Sequence, residues 1–135
     1  MDRIFCEADF VSLHLPLTPE TKGIVTGEKI AMMKPTAYLI NTARGPIIDE
    51  AALIAALQAK KIAGAGLDVF QVEPLQADNP LLGLDNVVLT PHQGYVTREN
   101  YVNFISAAVA NVLLAGRHGH QRIAITLAGA PRFML

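Results

Sequence analysis

Four short apolar runs, at residues 10–15, 37–40, 62–69 and 87–90, constrain this chain most. None alternates strictly between apolar and polar residues, and helical patterns lie between them. Thr26 predicts the cap of a short helix through Met33, halted by Pro35. Asp49 predicts the cap of a helix to residue 60, with Leu53, Ile54 and Leu57 on one face. Strands joined through helices are parallel, and continuous apolar strands are those buried on both faces. The expectation is an α/β fold: a parallel sheet of about four strands, flanked by helices and covered on both faces. The 135 residues, 51% hydrophobic and 17% charged, suffice for one packed core.

Smaller features complete the layout. Thr18-Pro19-Glu20 reads as a turn or short helix. The small residues of Gly64-Ala65-Gly66 ask for a neighbour that approaches the third strand closely. Thr97 caps a long amphipathic helix carrying Tyr101, Ile105, Ala108, Val109 and Val112 on one face, with Gly116 as its stop. Residues 117–135 show no period and are read as an irregular tail, so the folded portion is expected at 1–116.

Composition removes several function classes. A net charge of −1 argues against a nucleic-acid or anionic-membrane partner. The single cysteine, Cys6, allows no internal disulfide and reads as a packing residue in a reducing, cytoplasmic setting. No run is long and apolar enough to span a bilayer. His118 and His120 lack carboxylate or cysteine companions at ligand spacing, so no metal site is expected.

Ligands of open parallel sheets bind outside the carboxyl ends of the strands. There the first run delivers His14-Leu15-Pro16, the second Thr42-Ala43-Arg44, the third Asp68 with Glu73 on the following loop, and the fourth Thr90-Pro91-His92. Arg44 follows a strand and precedes a helix, where a cation gains nothing from the helix dipole and an anion would partner it. An arginine, a histidine and a carboxylate at one edge suit a single chemistry. Arg44 would hold a substrate carboxylate, His92 would move a proton, and Glu73 would fix the tautomer of His92. Blander readings stay open: Arg44 bridging Glu73 or Asp49, Glu73 in a solvated turn, His92 or His14 merely ending a strand. Asp68, a carboxylate in an apolar strand, needs a hydrogen-bond donor on either reading.

The ordered blocks Asp9-Phe10-Val11-Ser12-Leu13-His14-Leu15-Pro16-Leu17-Thr18, Met33-Lys34-Pro35, Asn41-Thr42-Ala43-Arg44-Gly45, Gly66-Leu67-Asp68-Val69-Phe70, Glu73-Pro74 and Thr90-Pro91-His92 resemble the D-isomer-specific 2-hydroxyacid dehydrogenases. This is the family of phosphoglycerate and glyoxylate/hydroxypyruvate enzymes, and the resemblance covers roughly residues 7–116. It implies a partial Rossmann-type sheet, NAD or NADP as cofactor, and a 2-hydroxy or 2-keto acid as substrate. By the same resemblance Arg44, Glu73 and His92 are the catalytic set. The cofactor would lie along His14, Leu15, Pro16, Thr42, Ala43, Arg44, Asp68 and His92.

The family's G-x-G-x-x-G fingerprint and substrate domain are not found in these residues. Gly64-Ala65-Gly66 is no substitute, because it follows a helix and position 69 is Val. The chain is therefore expected to be the C-terminal portion of an NAD(P)-binding domain, inactive by itself and prone to self-association or to pairing with a missing N-terminal half. The alternative is a non-catalytic remnant, or a half-domain that binds an anion or a partner.

Overall fold

The computed structural model describes residues 1–118. They divide into two compact units, the first Met1–Gly94 and the second beginning at Tyr95. In the first unit α1 (Asp2–Glu7) leads into β1 (Phe10–Leu13), followed by α2 (Gly27–Ala31), β2 (Tyr38–Asn41), α3 (Glu50–Gln58), β3 (Gly64–Leu67) and β4 (Val87–Leu89). The four strands form one parallel sheet in the order β1-β2-β3-β4, as expected. Register pairs Val11 with Leu39, Leu39 with Ala65, and Leu67 with Leu89.

Local chemistry sets the helix starts. Thr26 accepts from Lys29 N–H and Asp49 from Ala52 N–H, each supplying a partner to a backbone donor left over at a helix start. Residues 18–22 form a turn, not a helix. Helix α3 ends with Lys60 at φ 51, Lys60 N–H bonded to Leu57 O and Lys61 N–H to Ala56 O, the arrangement that usually places glycine at the left-handed position.

Stepping the same way three times along a parallel sheet puts every right-handed crossover on one face. The core lies there: Val11, Leu13, Leu39, Ala65 and Leu67 pack with Phe5 of α1, Ile30 of α2, and Leu53 and Leu57 of α3. Alternate strand residues face away, and Phe10, Tyr38 and Val88 are exposed. Among the described residues cover on both faces is thus not observed: burial alternates even between adjacent apolar residues such as Phe10 and Val11. The small-residue reading of β3 holds at Gly64, where a Cβ would meet Asn86 O at 2.4 Å. It fails at Gly66, where the nearest atom would be 3.9 Å away.

One local reading, that of Cys6, is corrected. The N-terminal residues form α1, joined by an Arg3–Glu7 pair at 3.0 Å. Because α1 turns only Phe5 inward, Cys6 is exposed and does not pack. The segment after Arg44 is a short 3-10 turn, Gly45–Ile47, containing Pro46, and α3 starts at Glu50 after the Asp49 cap, as expected.

In the second unit α4 (Arg98–His118) is capped by Thr97, whose Oγ1 accepts from Asn100 N–H at 3.2 Å. The helix runs through Gly116, so that glycine is not its stop; an interior glycine costs only about 1 kcal/mol. Tyr101, Ile105, Ala108, Val109 and Val112 are exposed. The tail read from 117 onward falls, beyond His118, outside the described residues, as does His120. Among the described residues, no helix is long and apolar enough to cross a membrane.

Candidate functional site

The parallel sheet sends the carboxyl ends of its strands to one edge, and the candidate residues follow from that. After β1, His14 is exposed and its Nε2 meets Ser12 Oγ at 2.8 Å; Leu15 and Pro16 are exposed beside it. After β2, the buried Asn41 shapes the turn. Its Oδ1 accepts from Ala43 N–H at 3.0 Å and its Nδ2 donates to Arg44 O at 3.0 Å. Thr42 and Arg44 are thereby presented outward, with Ala43 half-buried. The Arg44 guanidinium donates to Ala43 O at 2.6 Å and, among the described residues, forms no ion pair. The bland bridge to Glu73 or Asp49 is therefore not formed. The α3 start, six residues on and capped by Asp49, lends Arg44 no dipole site either.

The structure brings Glu73 and His92 together. Glu73 Oε2 lies 2.6 Å from His92 Nδ1, and Glu73 Oε1 accepts from Phe70 N–H at 2.9 Å. Burial alone would raise the Glu73 carboxyl pKa. The bonds from His92 and Phe70 N–H, with the charges of His92 and Arg44, outweigh it and hold the group below its ordinary 4.5. An ionised carboxylate only accepts, so His92 Nδ1 carries the hydrogen in this bond.

Asp68, at the end of β3, is 4% exposed. Burial pushes its pKa up, but the bonds from Thr90 Oγ1, Gly94 N–H and Gln93 N–H, and the charge of His92, hold it below 3.8. The loop that carries His92 thus folds onto Asp68, with His92 itself at φ 53.

A cavity of about 510 Å³ opens beside the pair, walled by Phe70, Pro74, Leu75, Leu89 and Pro91, with Glu73 and His92 as its ionisable members. This apolar wall was not legible beforehand, since its members are dispersed over two loops. Asn41 was missed as a positioning residue, although a polar residue ending a buried strand two positions before a turn amide is a recognisable signal.

In an open parallel sheet a dinucleotide binds at this carboxyl edge, where Thr42 and Arg44 are exposed. Gly94 lets the His92 loop pass close to Asp68 and Thr42, since a methyl there would come within 3.0 Å of Asp68 Oδ2 and 3.9 Å of Thr42 Cβ. The starts of α2 and α3 are closed by their own caps, and a pyrophosphate finds no such helix end there.

The family model described as D-isomer specific 2-hydroxyacid dehydrogenase, NAD binding domain, matches residues 1–94. Glyoxylate/hydroxypyruvate reductase B of Escherichia fergusonii is 50% identical over 115 residues, 85% of this chain and 36% of that protein. A putative D-3-phosphoglycerate dehydrogenase of Ralstonia solanacearum superposes with a TM-score of 0.82 at 36% identity, over 96% of this chain and 38% of that one. The NAD-complexed D-isomer specific 2-hydroxyacid dehydrogenase of Lactobacillus delbrueckii ssp. bulgaricus gives 0.73 at 36% identity, over 91% and 42%. The chain spans about a third of the length of the curated relative it matches.

Proposed function

The chain belongs to the D-isomer-specific 2-hydroxyacid dehydrogenases, matching their NAD-binding domain, and from that premise we propose that it carries the hydride-transfer edge of such an oxidoreductase. The substrate is a 2-hydroxy or 2-keto acid and the cofactor NAD or NADP, in a cytoplasmic setting. The observation that carries the reading is the 2.6 Å bond between Glu73 and His92 beside an apolar cavity.

Each side chain has a definite task. Arg44, exposed and without an ion-pair partner among the described residues, takes the substrate carboxylate. Glu73 holds His92 in the Nδ1–H tautomer and stabilises the imidazolium. In reduction His92 gives the Nε2 proton to the substrate's C2 oxygen; in oxidation the neutral ring takes it back. When bound, the nicotinamide supplies or accepts the hydride at C2. His14, Leu15, Pro16, Thr42, Ala43, Arg44, Asp68 and His92 line its path, and the apolar wall of Phe70, Leu75 and Leu89 limits water around the pair.

Titration of the chain with NADH, followed by fluorescence, tests this reading. Weak, saturable binding that is lost in Arg44→Ala or Asp68→Ala supports it. A folded chain that binds nothing at millimolar NADH favours the non-catalytic remnant.

A further inference from the structure

Asp68 is the buried carboxylate that proton transfer does not use. Among the described residues no cation pairs with it. Its partners all come from one five-residue segment. Thr90 Oγ1 and Gln93 N–H donate to Oδ1 at 2.5 and 2.9 Å, and Gly94 N–H donates to Oδ2 at 2.8 Å. The main chain adds a fourth tie, His92 N–H to Asp68 O at 2.8 Å. These four bonds bracket His92, which sits in the left-handed region at φ 53. That conformation is unfavourable for a non-glycine residue and persists where surrounding contacts over-determine it. Glycine at 94 lets the segment run against Asp68, since a Cβ there would crowd Oδ2 at 3.0 Å.

We propose that Asp68 is a positioning residue: by gathering Thr90, Gln93 and Gly94 onto its carboxylate, it fixes the loop in the shape that seats His92 Nδ1 on Glu73. Its effect on the reaction is indirect, through the place and tautomer of His92, and is separate from any contact it makes with a cofactor. The catalytic consequence rests on the proton-carrier reading of His92, but the clamp itself does not.

The test needs neither cofactor nor turnover. The chain is labelled with carboxyl carbon-13 in glutamate, and the Glu73 titration is followed by NMR in the parent, Asp68→Asn and Thr90→Val. The sign is diagnostic. Removing the Asp68 charge alone would move Glu73 down, because a nearby negative charge disfavours its ionisation. Losing the hydrogen bond and charge of His92 moves Glu73 up. The clamp therefore requires an upward move towards the ordinary glutamate range in both variants, larger in Asp68→Asn. Methyl signals of Leu39 and Leu53 report that the core is intact. A Glu73 titration that stays put or falls in a folded variant overturns the proposal. If Asp68→Asn does not fold, Thr90→Val decides by the same criterion, since it keeps the charge and removes one bond. An unmoved Glu73 contradicts the clamp while leaving the dehydrogenase reading, which the NADH titration tests, intact.

Discussion

Gly45→Ala puts the geometry of the Glu73 loop under direct strain. A Cβ at this position would lie 2.0 Å from both the carbonyl carbon and oxygen of Phe70, and 2.7 Å from Gln71 N. Ordinary contact begins near 3.4 Å, so the Phe70–Gln71 peptide must retreat by more than 1 Å. It is backbone and cannot swing aside like a side-chain tip. Three bonds tie it in place: Gln71 N–H to Glu50 Oε2 at 3.1 Å, Gln71 Nε2 to Ile48 O at 2.9 Å, and Phe70 N–H to Glu73 Oε1 at 2.9 Å. Losing two of them at about 1 kcal/mol each, with overpacking of about 1–3 kcal/mol, gives an expected loss of roughly 3–5 kcal/mol. That is a large share of the 5–15 kcal/mol typical of a domain. Urea unfolding followed by circular dichroism measures it. A variant that loses under about 1 kcal/mol with an unchanged denaturant slope would refute the close approach of these two segments.

Lys60→Gly relieves the left-handed residue that ends α3, and is expected to raise stability by about 0.5–1 kcal/mol in the same assay. Acid should destabilise the first unit: the folded pKa values of Asp68 and Glu73 lie below their ordinary 3.8 and 4.5, so both groups stabilise the fold fully above about pH 4.5 and lose that contribution as pH falls through the folded values. Thermal melts between pH 6 and 3 check this, and a melting temperature independent of pH would contradict it. Phe10, 66% exposed on the edge strand β1 and stacked on Tyr38 at 5.5 Å, is expected to promote self-association. Sedimentation should show the parent associating with concentration and Phe10→Glu shifted towards monomer; a parent that is monomeric throughout would end that expectation.

What could be read in the sequence follows the range of the interactions. Thr26, Asp49 and Thr97 cap their helices through donors three residues away, and the sequence carries that signal in full. The meeting of Glu73 with His92 was legible through a rule of topology, since parallel strands send their ends to one edge. The open face was not, because Phe10, Tyr38 and Val88 are as apolar as the buried residues beside them, and only strand order decides which face helices cover. The 3-10 turn between Arg44 and α3, which contains Pro46, was not legible either. The need of Asp68 for donors was clear; that two of them would be the main-chain amides of Gln93 and Gly94 was not, for backbone amides leave no trace in composition.

A graft decides whether Arg44, Glu73 and His92 form a working edge. Residues 1–94 replace the corresponding segment of the Escherichia fergusonii reductase, and NAD(P)H oxidation is measured with glyoxylate or hydroxypyruvate. A working edge gives an active chimera that loses about 10²–10⁴-fold in kcat/KM on His92→Gln and about 10²–10³-fold on Arg44→Ala. A chimera that is folded and inactive, or whose rate survives both substitutions, would contradict it.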